Sequence, residues 1–123
     1  SNKPMLSEKY AGVIDTVGGK ILANALKEVK YDGVVTCCGL TSSSELNTNV
    51  FPFILRGVRL IGIDSVECKL EKKQAAWEKL ASRWKINSLN TITNEISLDE
   101  IKAAYEHLLS GKAVGRYVVK IKE

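Results

Sequence analysis

The run from Val34 to Cys38 constrains the fold more than any other segment of the sequence. Apolar and β-branched residues follow one another there without polar alternation, and the run ends at Gly39. This pattern is typical of a strand that a parallel sheet buries on both faces. Parallel strands are joined through a crossover, so a partner strand and a helix are expected nearby in the chain.

The segment before this run supplies both elements. A strand is predicted over Gly12–Val17, and it stops at Gly18. Apolar residues then recur at the spacing of one helix face: Ile21, Leu22, Ala25, Leu26 and Val29. The tripeptide Tyr31–Gly33 is predicted to turn the chain. Strand, helix and strand within about thirty residues make a parallel βαβ unit, whose crossover is right-handed in nearly all folds.

A third strand is predicted over Val58–Ile63, after a short helix. Thr48 or Asn49 is expected at the N-cap of that helix, Pro52 lies in its opening turn, and Gly57 follows its end. Three parallel strands with helical connections make half of a doubly wound α/β sheet.

Two more helices and a last strand are predicted in the second half of the chain. One helix covers roughly Lys69 to Lys85, and the other begins at the capping box of Ser97 and Glu100 and ends at Gly111. The residues expected to be buried by the two helices are Leu70, Trp77, Leu80, Ala81 and Trp84, then Ile101, Ala104, Tyr105 and Leu108. The last strand is the β-branched segment Arg116–Ile121.

The chain carries a formal charge of +4 and a pI near 9.0. Its basic residues are interleaved with Glu71 and Glu78 on a predicted helix, which is typical of a solvated face and argues against nucleic-acid binding. A phosphorylated cofactor or a CoA thioester fits this mild positive charge. No apolar segment is long enough to cross a membrane and no signal-peptide core is present, so a cytoplasmic location is expected.

The three cysteines are Cys37, Cys38 and Cys68, and none of them forms a CxxC pair. This count and spacing argue against a disulfide framework and a structural zinc site, so no metal is expected. The adjacent Cys37 and Cys38 are predicted to be small buried strand residues.

Ligands of an open α/β sheet bind beyond the carboxyl ends of its strands. Three segments are predicted there: Asp15–Gly19, Gly39–Thr41 and Asp64–Ser65. Their glycines either let a flat ring approach the backbone or only permit tight turns, and spacing alone favours neither. The glycine patterns of the known phosphate loops are absent. Since His107, the single histidine, is expected to complement a helix dipole, the residues indicate a binding surface and leave the catalytic residues unknown.

Three motifs together resemble the acrylyl-CoA reductase and quinone oxidoreductase branch of the medium-chain dehydrogenase/reductase superfamily. They are VIDTVGG at Val13–Gly19, CGL at Cys38–Leu40, and FPFILRG at Phe51–Gly57 combined with GIDS at Gly62–Ser65. The resemblance runs from about Lys3 to the C-terminus. It implies a zinc-independent, NADPH-dependent parent enzyme of more than twice this length, which transfers a hydride to an activated carbon–carbon double bond or a quinone.

The resemblance also implies a division of the chain. Residues 1–2 are interpreted as a tag remnant and residues 3–68 as the second, C-terminal half of a Rossmann-type nucleotide-binding domain. Residues 69–123 are expected to be terminal helices and a final strand that return to the catalytic domain of the parent. Because the phosphate loop and the substrate side belong to the rest of the parent, NADP binding by the isolated chain is expected to be weak or absent, and the chain inactive.

Four residues carry over to the cofactor site by position: Leu40, Ile54, Ser65 and Gly111. The resemblance implies that Leu40 and Ile54 pack on or near the nicotinamide ring. It also implies a homodimer in which the edge strand Val58–Ile63 pairs with its two-fold mate. The sequence departs from the family at Glu67–Lys69, at the entry to the next helix.

A second interpretation stays open at this point. The chain could be a self-standing, non-enzymatic α/β module for binding or dimerisation, since a fold does not fix a function. The coding sequence upstream of Lys3 separates the two interpretations. A strand followed by a glycine-rich phosphate loop there would favour the interpretation as part of an enzyme.

Overall fold

The computed structural model of the chain describes residues 1–121. These residues form two compact units, which divide between Lys69 and Leu70. No helix among residues 1–121 is both long enough and apolar enough to span a membrane.

The first unit is a three-stranded parallel sheet with two helices. Its elements in chain order are β1 (Tyr10–Asp15), α1 (Gly19–Glu28), β2 (Val29–Cys37), α2 (Phe51–Arg56) and β3 (Arg59–Gly62). The strands lie in the order β1-β2-β3, so β2 is central and β3 forms an edge of the sheet. The predicted α/β class, the parallel sheet and the edge position of the third strand are thereby confirmed.

The core of this unit lies on one face of the sheet. Val13 of β1 is in register with Val35 of β2, which in turn pairs with Leu60 of β3. The buried cluster on this face consists of Leu22, Leu26, Val29, Val35 and Val58, with Val13, Cys37, Phe53 and Leu60 packed against it. Helices α1 and α2 contribute the residues that cover this face.

The opposite face of the sheet is open, and the prediction of a central strand buried on both faces is wrong for this chain. Val35 is 0% exposed, whereas Val34 and Thr36, which point to the other side of β2, are only half-buried, and Ile14 on that side of β1 is 82% exposed. Cys38 is exposed and Cys37 is only half-buried, so the two thiols are not the buried pair that was expected. The physical reason is that α1 and α2 pack on the same face.

The predicted turn at Tyr31–Gly33 lies inside β2. The register of β1 and β2 shifts between the pairs Tyr10–Val29 and Gly12–Val34, so the intervening residues of β2 form a bulge. Asp32 adopts a φ of 61°, a left-handed conformation that aspartate tolerates better than most residues. The turn residues therefore bend the strand without ending it.

Helix α2 begins after Val50, one residue later than an N-cap at Asn49 predicts and two residues later than one at Thr48. Val50 occupies the N-cap position and makes no side-chain capping bond. Asn49 instead accepts a hydrogen bond from the Phe51 backbone N–H at 3.0 Å, as in an Asx turn. The predicted ends are otherwise confirmed, because Pro52 lies in the first turn and Gly57 closes the helix with a φ of 60°.

The second unit contains α3 (Leu70–Ala81), β4 (Thr93–Ile96), α4 (Ile101–Leu109) and β5 (Arg116–Val119), with short 3₁₀ helices over Leu89–Ile92 and Leu98–Glu100. Strands β4 and β5 pair in parallel on either side of α4 in the chain, which makes a second βαβ unit. The sequence analysis missed β4, because four residues with one apolar end give a weak strand pattern.

The predicted C-terminal end of α4 is confirmed, whereas the predicted capping box opens the 3₁₀ helix Leu98–Glu100 and α4 itself begins at Ile101. The capping box of Ser97 and Glu100 is formed. At the other end, the Gly111 N–H donates to the Leu108 carbonyl at 3.0 Å and the Lys112 N–H donates to the His107 carbonyl at 3.3 Å. This pair of bonds is a Schellman motif, for which Gly111 supplies the required φ of 69°.

The prediction of buried aromatic residues on these helices is wrong. Trp77 is 70% exposed, and Trp84 lies under the side chains of Lys79 and Arg83 at 5.2 and 5.3 Å from its ring centroid. Leu70, Leu80, Tyr105 and Leu108 are exposed as well, while Ala104 is buried. Of the residues that helical spacing assigns to these apolar stripes, only Ala104 is buried within residues 1–121.

Candidate cofactor-binding groove

The loops that follow β1 and β2 are joined by backbone hydrogen bonds. The Cys38 N–H donates to the Asp15 carbonyl and the Ser42 N–H to the Val17 carbonyl, both at 2.9 Å. A parallel β-bridge connects Gly18 with Ser43. Because the carboxyl ends of both strands are tied in this way, the sequence-predicted segments after β1 and β2 form one rigid rim.

A buried carboxylate fixes the first of these loops. Asp15 is buried, and its Oδ2 accepts hydrogen bonds from the Gly18 N–H at 2.9 Å and the Val17 N–H at 3.3 Å. Gly18 adopts a φ of 72°, and a Cβ there would overlap the Ser43 carbonyl oxygen. Asp15 thus acts as a turn-forming residue, and Gly18 permits the close approach of two backbones.

A groove of about 460 Å³ lies between the ends of β2 and β3. Its lining residues are Cys37, Cys38, Gly39, Leu40, Gly62, Ile63 and Asp64. The Ile63 N–H donates to the Cys37 carbonyl at 2.9 Å, which sets the spacing of its two walls. A Cβ built at Gly62 has no neighbour within 4 Å, so a flat ring could approach the backbone of this wall closely.

The far wall of the groove ends in a polar turn. The Asp64 Oδ1 accepts hydrogen bonds from the backbone N–H groups of Val66 and Glu67, both at 3.0 Å. This arrangement turns the chain at Ser65, which is exposed. Asp64 therefore holds the loop that follows β3 while Ser65 stays available to a ligand.

The four sequence-predicted site residues occupy different places. Leu40 lines the groove and is 65% exposed, and Ser65 directly follows its last lining residue. Ile54 is 67% exposed on α2 and is not part of the lining. Gly111 ends α4 in the second unit. Sequence analysis did not name Gly62 as a site residue, although a glycine at the end of the third strand is a signal that could have found it.

A more polar hollow of about 480 Å³ lies at the start of α1. It is lined by Gly19, Lys20, Ala23, Ser42, Ser43, Glu45 and Asn47. In the second unit, His107 Nδ1 lies 2.6 Å from the Tyr117 hydroxyl, next to the last turn of α4. Across residues 1–121, no three His, Cys, Asp or Glu side chains are grouped closely enough to hold a metal ion.

Comparison with known proteins identifies relatives over nearly the whole chain. The chain is 42% identical over 120 residues to YhfP of Bacillus subtilis, which is named as a quinone oxidoreductase. It is 36% identical over 119 residues to the acrylyl-CoA reductase AcuI of Ruegeria pomeroyi. In each case the alignment covers 97% of this chain and 36% of the relative, so the chain spans about a third of these relatives' length. No protein-family profile matches the chain.

Solved structures give the same result. Escherichia coli YhdH with bound NADPH superposes with a TM-score of 0.84 at 40% identity, covering 99% of this chain and 38% of YhdH. Bacillus subtilis YhfP with bound NAD gives 0.83 at 42% identity, covering 97% of this chain and 36% of YhfP. The chain is therefore related, in sequence and in its Rossmann-type fold, to a segment of the acrylyl-CoA reductases and quinone oxidoreductases of the medium-chain dehydrogenase/reductase superfamily, as its motifs predicted.

Proposed function

We propose that the chain forms the nicotinamide side of the cofactor cleft in an NADPH-dependent oxidoreductase. The parent enzyme would transfer a hydride to an activated carbon–carbon double bond, as in an acrylyl-CoA-like ester, or to a quinone. The observation that carries this proposal is the glycine-walled groove at the carboxyl ends of β2 and β3. It lies where ligands of open α/β sheets bind, in a chain related to proteins that are seen with NADPH or NAD.

The groove residues suit the recognition of a flat, weakly polar ring. Leu40 offers an apolar side chain that the protein core does not use, and the exposed backbone beside Gly62 offers hydrogen bonds to a carboxamide. Ser65 lies at the end of the groove, where its hydroxyl can donate or accept a bond. Ile54 and Gly111 complete the proposed cofactor contacts, as the family resemblance implies.

The isolated chain is expected to hold the cofactor weakly and to be inactive. NADPH supplies the hydride when it is bound, and the protein must hold both cofactor and acceptor in a reactive geometry. The phosphate grip and the acceptor site are expected in the part of the parent that this chain does not contain. Binding of the nicotinamide end alone leaves most of the usual contacts unmade, so the affinity should be in the millimolar range.

An NADPH titration followed by NMR of the labelled chain tests this proposal. We expect millimolar affinity, with chemical-shift changes at Leu40, Gly62 and Ser65, and no reduction of acrylyl-CoA or a quinone. Micromolar affinity would indicate a complete site and favour the self-standing binding module. Rapid NADPH-dependent reduction of acrylyl-CoA or a quinone by the isolated chain would overturn the proposal that it forms only the nicotinamide side of the cleft.

Three further properties belong to this proposal. We expect the parent activity to need no zinc, as the family resemblance implies, and dialysis of the parent enzyme against a chelator should leave its activity unchanged. We expect the edge strand β3 to pair with β3 of a second copy, which light scattering would detect as a dimer. We also expect a cytoplasmic location for the parent, which fractionation of cells would test.

A further inference from the structure

Two consecutive peptide groups after β1 point their N–H groups at one carboxylate. The N–H groups of Val17 and Gly18 donate to Oδ2 of Asp15 at 3.3 and 2.9 Å. Asp15 is only 4% exposed, so the solvent screens these bonds little, and bonds to a charged acceptor are about twice as strong as neutral ones. Among residues 1–121, no basic side chain forms a salt bridge with Asp15. The carboxylate therefore binds two backbone groups in place of a counter-ion.

The carbonyls of the same two peptide groups hold the loop that follows β2. A peptide group is planar and trans, so its N–H and C=O point in opposite directions, and a bond to the N–H also sets the direction of the carbonyl. The carbonyl that shares a peptide group with the Val17 N–H is that of Thr16, which accepts from Thr41 Oγ1 at 3.4 Å. The carbonyl that shares a peptide group with the Gly18 N–H is that of Val17, which accepts from the Ser42 N–H at 2.9 Å.

Leu40 lies between the two residues of this loop that contact Thr16. On one side, a Cβ at Gly39 would overlap the Thr16 carbonyl oxygen, so the two backbones are in direct contact. On the other side, Thr41 donates to that same oxygen. The Leu40 side chain itself is 65% exposed and lines the groove. The backbone of Leu40 is therefore held on both sides, while its side chain is left to meet a ligand.

We propose that Asp15 is a positioning residue for the cofactor, because its carboxylate orients the two carbonyls that fix Leu40 on the wall of the groove. This inference rests on the proposed function, since Leu40 has a cofactor to meet only if the chain forms the nicotinamide side of the cleft. It adds a residue that does not itself line the groove. Side chains that contact a ligand must be held to within about 0.5 Å, and a loop needs hydrogen bonds from its neighbours to achieve this.

The first measurement needs no cofactor. Amide hydrogen exchange at Ser42 reports its bond to the Val17 carbonyl, and exchange at Ile63 reports a bond of the same length, 2.9 Å, to the Cys37 carbonyl. In Asp15→Ala, we expect exchange at Ser42 to become about tenfold faster while exchange at Ile63 is unchanged. Asp15→Asn keeps a neutral oxygen acceptor, so its exchange rate at Ser42 should lie between the two. A general loss of stability would accelerate both amides together.

The second measurement is an NMR titration with millimolar NADPH. In the unchanged chain, the amides of Leu40 and Ser65 should both shift. In Asp15→Ala, the Leu40 shift should fall about twofold or more while the Ser65 shift persists, because Ser65 lies in the separate turn that Asp64 holds. Asp15→Asn should recover part of the Leu40 shift, as a weaker acceptor in the same place predicts.

Thr41→Val and Thr36→Val form a matched pair of controls. Each removes a hydroxyl that donates to a carbonyl of the β1 segment at 3.4 Å, but only Thr41 belongs to the loop that carries Leu40. The Leu40 response should therefore fall in Thr41→Val and stay unchanged in Thr36→Val. If Asp15→Ala does not fold, Asp15→Asn decides, since its weaker acceptor should still accelerate exchange at Ser42 and lower the Leu40 response.

The possible results separate the two claims. Unchanged exchange at Ser42 in a folded Asp15 variant, or equal acceleration at Ser42 and Ile63, would overturn the positioning role. A Leu40 response that is unchanged in that variant, or that falls equally with the Ser65 response, would overturn it too, and the proposed function would stand in each case. No response at Leu40 or Ser65 in the unchanged chain would overturn the proposed function, and the role of Asp15 for the cofactor with it.

Discussion

Gly39 lies directly against the backbone of Thr16, and a Cβ at position 39 would overlap the Thr16 carbonyl oxygen. This contact joins the loop after β2 to the loop after β1, and it places Gly39 on the wall of the groove. The glycine is therefore needed for close packing of two backbones, in addition to any ligand that approaches it.

We expect Gly39→Ala to lower the free energy of unfolding by about 2 kcal/mol, because a methyl group forced against backbone cannot be relieved by a side-chain rotation. Gly62→Ala is the matched control. It lies on the same groove, but a Cβ there has no neighbour within 4 Å, so its unfolding free energy should stay within about 0.5 kcal/mol of the unchanged chain. Urea unfolding measures both, and equal values for the two variants would contradict the steric account.

Leu40 and Ile54 are apolar residues that the fold does not bury. We expect Leu40→Ala and Ile54→Ala to change the unfolding free energy by no more than about 0.5 kcal/mol, and yet to weaken the NADPH-induced NMR shifts. Ile21→Ala, an exposed residue on α1, should change neither property. Leu26→Ala, which empties a buried site, should cost about 3 kcal/mol. A cofactor response that survives both site substitutions would show that these side chains do not contact the ring.

The capping box of Ser97 and Glu100, which precedes α4, predicts a pH effect. The Ser97 N–H donates to Glu100 Oε2 at 2.8 Å and the Ser97 hydroxyl donates to it at 2.9 Å. The backbone bond first, and the hydroxyl bond second, hold the pKa of Glu100 below its ordinary value. A carboxyl group with a lowered pKa stabilises the folded state above its unfolded pKa, and this contribution is lost as the pH falls through the folded pKa.

We expect Ser97→Ala to raise the pKa of Glu100 partway toward its ordinary value, because the backbone N–H, the larger cause, remains. The pKa can be read from an NMR titration of the Glu100 carboxyl carbon. Glu100→Gln is the control, because it removes the titrating carboxyl group. Its free energy of unfolding should therefore decline less than that of the unchanged chain as the pH falls below the ordinary glutamate pKa. A Glu100 pKa that is the same in Ser97→Ala would show that the hydroxyl bond has no effect.

The elements that sequence analysis predicted best are those whose patterns arise locally. The capping box of Ser97 and the glycine at position 111 are set by neighbours within one helical turn, and both were found. The alternation of strand and helix around Val35 likewise depends on residues close in the chain. Fold class therefore followed from the sequence.

Burial was predicted less well, because it depends on what lies opposite a residue. Trp77 and Leu80 have the pattern of core residues, but both are exposed in the described chain. For the site, the position of the strand ends predicted the edge of the sheet where the groove lies, while the role of the glycines there stayed open. The family resemblance added Leu40. Only the observed register of β2 with β3 shows that Gly62 and Asp64 line one groove together with Leu40.

The edge of β3 offers the last test, because its backbone groups alternate in direction. The Ile63 N–H donates to the Cys37 carbonyl, so the N–H and C=O of Ile63 and Ile61 point toward β2. Those of Gly62 then point away from the sheet, where the proposed second copy of β3 would pair with them. Proline at position 62 would remove an outward donor without breaking a bond to β2.

We therefore expect Gly62→Pro to shift the chain from dimer to monomer, as measured by sedimentation velocity, while Gly62→Ala stays dimeric. The circular dichroism of both variants should match that of the unchanged chain, because the bonds between β2 and β3 are kept. A proline variant that remains dimeric would place the interface elsewhere. The exposed sheet face around Ile14 is then the next surface to examine, and Ile14→Lys would test it by the same measurement.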